Sequence, residues 1–138
     1  MNIFEFRRIN LWRDAFSIIS KRPFFGLGAA FFPVLYDLYY NPTNYTERHT
    51  HNLFIELTAS YGFIVSTLTF GFIVFLIFKG WESIKKNKHK HEDIINKSWL
   101  AASIIIVISQ MNDITYFDGR ISVIFWILLA GLRNIIVE

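Results

Sequence analysis

From Leu57 to Phe78 the chain runs for 22 residues without a formal charge. At 1.5 Å per helical residue that run spans about 33 Å, enough for a hydrocarbon core of roughly 30 Å. A transmembrane helix over residues 57–78 is therefore the reading, ahead of a core helix in a soluble protein. The run lies mid-chain, and the opening Met-Asn-Ile-Phe-Glu has no cleavable pattern, so a signal peptide does not account for it.

Two shorter apolar runs follow. Ser98–Asn112 has 15 uncharged residues, including Ile104-Ile105-Ile106-Val107-Ile108, and Ile121–Leu132 has 12. The second needs Arg133 to snorkel if its helix continues through Ile135-Ile136-Val137 toward position 136. Each is weak by itself. With residues 113–120 as the turn between them, they read as a helical hairpin that requires cover from neighbouring helices. The composition agrees: 53% of residues are hydrophobic and only 18% charged, which excludes a disordered tail. There is no cysteine, so thiolate metal sites, redox motifs and a cysteine nucleophile are excluded together.

A net charge of +3 suggests nucleic acid until the basic residues are located. Lys79, Lys85, Lys86, Lys88, Lys90 and Lys97 fall in one stretch of 19 residues between two apolar runs, opposed by Glu82, Glu92 and Asp93. This is a loop, and no nucleic-acid partner is expected. Cytoplasmic loops carry the excess of Lys and Arg, so residues 79–97 are assigned to the cytoplasm and residues 1–56 and 113–120 to the outside. Trp81 and Trp99 then occupy helix ends, where an interfacial aromatic belt belongs.

In the outer segment, Ile9, Trp12, Phe16 and Ile19 recur at spacings of three and four, with Asn10, Arg13, Asp14, Ser17 and Ser20 opposite. This predicts an amphipathic helix, lying on a membrane surface or facing a core, that ends at Lys21-Arg22-Pro23. Gly26-Leu27-Gly28 reads as a tight turn before it reads as a phosphate cradle. An aromatic stretch, Phe31–Tyr40, and a polar Asn41-Pro42-Thr43-Asn44 loop follow.

His49-Thr50-His51-Asn52 is the sharpest local feature. Two histidines two residues apart diverge on an extended backbone and do not readily share a metal, and only Glu47 and Glu56 stand near, so no metal is expected. The readings left open are a structural or surface histidine and a general base, since imidazole accepts a hydroxyl proton at physiological pH. Asn52 is placed to orient the ring or a substrate oxygen.

These residues resemble the C-terminal part of the bacterial O-antigen ligase and O-antigen polymerase-like family of polytopic membrane glycosyltransferases. The clearest match is His51-Asn52 followed by Gly62, written HNLFIELTASYG, with Val65 where the family's pattern has a second glycine. Arg8, Trp12, Ala15, Pro23, Gly26 and Gly28 match its upstream pattern, and Asp113 and Phe125-Trp126 resemble its downstream features.

The resemblance implies an all-α polytopic membrane domain over residues 1–138. Its parts are an extracytoplasmic segment, 1–56, membrane helices at 57–78, 98–112 and 121–136, and a cytoplasmic loop at 79–97. It implies a multi-pass protein of the bacterial inner membrane, active on the periplasmic side in lipopolysaccharide or polysaccharide biosynthesis. Its reaction moves a glycan from an undecaprenyl diphosphate carrier, a lipid-linked donor, to a hydroxyl of lipid A core or another glycan, without a cofactor. His51 is then the base, Arg8, with Arg7, Arg13 and Arg48 behind it, holds diphosphate oxygens, and Asp113 orients His51 or a cation. Three helices do not easily enclose a lipid-linked substrate. The expectation is a fragment, a truncated product or half of a split protein lacking an N-terminal membrane part, inactive alone. The rivals are a small non-enzymatic membrane accessory protein, a metal-dependent membrane hydrolase and, last, a soluble helical domain.

Overall fold

The computed structural model describes residues 3–29, 31–40, 49–86 and 92–137, with side chains described from Arg8 onward except at 37, 39, 40, 92 and 93. The described residues form five α-helices and no strands: α1 (Ile3–Ile19), α2 (Phe31–Tyr40), α3 (Leu53–Lys86), α4 (Glu92–Asn112) and α5 (Gly119–Val137). Three of them, α3, α5 and the Ile94–Asn112 part of α4, are long and apolar enough to cross a membrane. Only 22%, 22% and 17% of their most apolar windows, respectively, are buried, so their outer faces present apolar side chains such as Phe72, Phe75, Ile105 and Ile127. Such faces suit lipid tails or further helices.

The chain divides into two compact units, one comprising Met1–Thr69 with Met111–Ile114 and the other Phe70–Gln110 with Thr115–Glu138. In the first unit, Leu11, Ala15, Ile18 and Ile19 of α1 pack with Phe32 of α2 and with Ile55 and Ala59 of α3. Side chains as fully buried as Ile18 and Phe32 contribute about 1.5–3 kcal/mol each relative to water exposure. The buried face of α1 is not the expected one: Ile9 and Phe16 are exposed, and Trp12 and Ile19 are joined inside by Leu11, Ala15 and Ile18. The stripe is rotated because α2, a helix where the sequence showed only an aromatic stretch, supplies Phe32 as the surface α1 must cover.

α3 is longer than any bilayer requires and is interrupted at Gly62, whose backbone (φ 84°, ψ 170°) is not helical. The turn after α1 fits into this break. Leu27 N donates to Ala59 O (2.8 Å), Gly28 N to Ser60 O (3.0 Å) and Phe63 N to Pro23 O (2.7 Å). Backbone groups freed by a helix break must be satisfied within the protein when the helix is apolar, and these bonds do so. The approach is backbone to backbone. A Cβ at Gly26 (φ 68°) would lie 2.6 Å from Ser60 O and Gly62 N, and one at Gly62 would overlap the backbone of Phe24. The amides of Leu27 and Gly28 are thus committed to α3, and Gly26-Leu27-Gly28 is a docking turn. The uninterrupted apolar helix begins after Gly62, and Val65, in place of the second glycine, is exposed.

In the second unit, Ile73 and Leu76 of α3, Leu100 of α4, and Phe125, Leu129, Leu132 and Ile135 of α5 form the core. Trp99 packs over Gly131, where a Cβ would overlap its indole, and its Nε1 donates to Leu128 O (2.9 Å). That corrects the aromatic-belt expectation for Trp99: α4 starts at Glu92, several residues before the apolar run, so this tryptophan lies inside the helix and turns inward. Trp81 is exposed. Residues 79–97 are also less of a loop than expected, because Lys79–Lys86 continue α3 and Glu92–Lys97 open α4. Glu82 supports the extension by pairing with Lys79 (2.8 Å) and Lys86 (2.9 Å), one helical turn away on either side. Lys88 and Lys90 lie outside the described residues.

Candidate functional site

The first unit gathers the polar groups of the His49–Asn52 segment at the head of α3. Asn52 is the N-cap: its Oδ1 accepts from Phe54 N (3.0 Å) and Ile55 N (3.2 Å), as an asparagine before an apolar helix should. Its Nδ2 donates to Met111 O (3.1 Å). The side chain given to a ring or substrate oxygen by sequence is thereby tied to backbone at both ends, and it joins the start of α3 to the segment carrying Asp113.

His51 sits immediately before this cap in the left-handed region (φ 55°), the one non-glycine residue there among the described residues. That conformation costs an L-residue roughly 1–2 kcal/mol, so neighbouring bonds must hold it. Trp12 Nε1 donates to Thr50 O (2.8 Å), Thr50 N donates to Glu56 Oε2 (2.9 Å), and Thr50 Oγ1 donates to Asn52 O (3.0 Å). Thr50 is fully buried and Glu56 nearly so.

So held, His51 Nδ1 lies 3.0 Å from Asp113 Oδ1. A carboxylate only accepts, so the hydrogen is on Nδ1 and the basic nitrogen of the neutral ring is Nε2. The ring is one-third exposed and Asp113 more so, so the pair is accessible from outside the protein. His49 turns to a different carboxylate, its Nδ1 3.8 Å from Glu56 Oε1. Among the described residues, no three His, Asp or Glu side chains converge as a metal-ligand set.

Of the expected cationic residues, Arg8 is exposed, has no ion pair to a described carboxylate, and lies one turn before Trp12 on the same side of α1. Trp12 is the residue bonded to the histidine turn. Arg13 is exposed too, but its Nη1 donates to Asn10 Oδ1 (3.4 Å) and it neighbours Asp14, whose carboxyl burial pushes up and Arg13 pulls down. The side chain of Arg7 and all of Arg48 lie outside the described residues.

A family model described as O-antigen ligase matches residues 7–78, just over half of the chain. The chain belongs to the O-antigen ligase family. No curated protein and no solved structure matches it. The matched span takes in Arg8, Trp12, the Gly26–Gly28 turn, His51 and Gly62, while Asp113 lies beyond it. Membership brings glycosyl transfer at a membrane as the general activity against which this site is read.

Sequence reasoning missed three parts of the site: Glu56, Thr50 and the tie from Trp12. Asn52 before the apolar run was a visible cap signal, and Glu56 in the following turn belongs to the same signature. The Trp12–Thr50 bond joins residues 38 positions apart, and no local pattern encodes it.

Proposed function

We propose that this chain carries the acceptor-activating site of an O-antigen ligase-type or polymerase-type glycosyltransferase. The donor is a glycan on undecaprenyl diphosphate, and the acceptor is a hydroxyl of lipid A core or of another glycan. The observation supporting this reading is the His51–Asp113 hydrogen bond on a strained, fully tethered turn. His51 Nε2 takes the acceptor proton as the hydroxyl oxygen attacks the anomeric carbon. The glycosyl carbon–oxygen bond breaks, and undecaprenyl diphosphate leaves with the electron pair. Asp113 keeps the proton on Nδ1 and faces the imidazolium that forms, in the manner of a base held by a carboxylate. Arg8, with Arg7, Arg13 and Arg48 as further candidates, neutralises the diphosphate with a permanently charged fork.

The test is transfer from a lipid-linked glycan in native membranes. Asp113→Ala is expected to lower kcat by about 10–10²-fold, the scale of a misplaced catalytic group. Asp113→Asn, which retains an acceptor oxygen for Nδ1–H, falls between. Unchanged kcat in both variants overturns the role of the pair.

The reading also sets the sidedness: His51 and Asp113 face the periplasm of the bacterial inner membrane, and the lysine-rich segment faces the cytoplasm. The lysine bias supports it. With no native cysteine in the chain, Arg120→Cys is expected to react with an impermeant maleimide from outside the inner membrane. Lys85→Cys is expected to react only after permeabilisation, and the reverse pattern refutes the orientation.

A further inference from the structure

Glu56 stands out among the groups that the proposed chemistry does not use. It is a carboxylate only 2% exposed, at the head of a helix whose next charged residue is Lys79. A buried carboxylate is costly unless its oxygens are satisfied, so its retention calls for a specific task. Oε2 accepts from Thr50 N at 2.9 Å, reaching back six residues, and Oε1 lies 3.8 Å from His49 Nδ1. The positive end of the α3 dipole favours the charge in this turn.

Thr50 is the residue through which the left-handed turn is fixed. Its carbonyl is taken by Trp12, its hydroxyl by Asn52 O and its amide by Glu56. The first two bonds fix where the segment lies. The Glu56 bond fixes the plane of the peptide leading into Thr50, and so the approach of the chain to His51 at φ 55°. From the turn so fixed, the imidazole reaches Asp113.

We propose that Glu56 is a positioning residue: its carboxylate, by accepting from the Thr50 amide, sets the left-handed turn at His51 and so the direction of the imidazole. The inference rests on His51 being the base for its kinetic consequence, though not for its structural one.

Two substitutions of similar size separate an acceptor from mere bulk. Glu56→Gln keeps an oxygen for Thr50 N–H, and Glu56→Met fills the same space without one. In native membranes, Glu56→Gln is expected to hold kcat near the wild-type value. Glu56→Met should lower kcat by about 10²-fold, as a displaced catalytic group does, with donor KM unchanged. Independently of transfer, carbethoxylation of His51 by diethyl pyrocarbonate, located by tandem mass spectrometry, should run several-fold faster in Glu56→Met than in Glu56→Gln.

Equal kcat and equal His51 reactivity in the two variants overturn the proposal. So does loss of membrane-inserted protein in Glu56→Met alone, which would make Glu56 a folding residue. If transfer proves indifferent to His51 itself, the catalytic reading fails, and the reactivity comparison still decides whether Glu56 aims the ring.

Discussion

Alanine at position 51 is expected to lower glycan transfer in native membranes by about 10²–10⁴-fold, the contribution of a positioned general base. The amount of inserted protein should not change. Asp113, which the ring contacts, has most of its surface exposed, so loss of the imidazole does not strand a buried carboxylate. The turn itself is held by Thr50, Glu56, Trp12 and Asn52, none of which depends on the imidazole. Asparagine is the sharper substitution, since it tolerates left-handed backbone better than alanine and still lacks a base. Wild-type transfer in His51→Asn, measured with the lipid-linked donor at saturation, would remove the histidine from the mechanism.

Gly62→Ala is expected to destabilise the first unit by on the order of 4 kcal/mol, more than the same change at Gly71 or Gly80 of α3. Two costs combine. The backbone at φ 84°, ψ 170° is almost exclusively a glycine conformation and costs other residues roughly 1–3 kcal/mol. The added Cβ would also overlap the backbone of Phe24, and relief requires withdrawal of the turn that bonds to Ala59, Ser60 and Phe63. Each such bond is worth about 1 kcal/mol. Gly71 provides the control, because a Cβ there meets nothing within 4 Å. Gly71→Ala should therefore be neutral to within about 0.5 kcal/mol, as surface changes usually are. Thermal unfolding in detergent and proteolytic cleavage near Lys21-Arg22 measure the difference, and equal stability of the two variants would refute the docking of this turn.

These two residues also show how unevenly the chain could be read. His51 was legible because a histidine pair before a long apolar run is conspicuous, and Gly62 because it completes a motif with His51-Asn52. What Gly62 does was not legible. Within the run Leu57–Phe78 it is one more uncharged residue, and hydropathy treats the helix as unbroken. The break depends on Pro23, Leu27 and Gly28, more than 30 positions earlier, offering bonds to residues 59–63. The same limit applies to α1, whose periodicity gave the helix but not its buried face, because the side chains of α2 and α3 choose it.

Asp113 and Glu56 divide along the same line. Sequence marked Asp113 as a turn residue, the family resemblance implied that it orients His51 or a cation, and the 3.0 Å contact came only with the fold. Glu56, in plain view four residues after the cap, reads as an ordinary acidic residue near a helix start until Thr50 is found beneath it. Charge-free length alone determined that this protein is helical and apolar enough to cross a membrane, since helix rise and bilayer thickness are fixed quantities that any local stretch either meets or fails. Which side chains meet was decided by tertiary structure alone. The bonds of Trp12, Glu56, Asn52 and Asp113 around His51 close loops of up to 62 residues, and only the packed backbone brings such partners within hydrogen-bond reach.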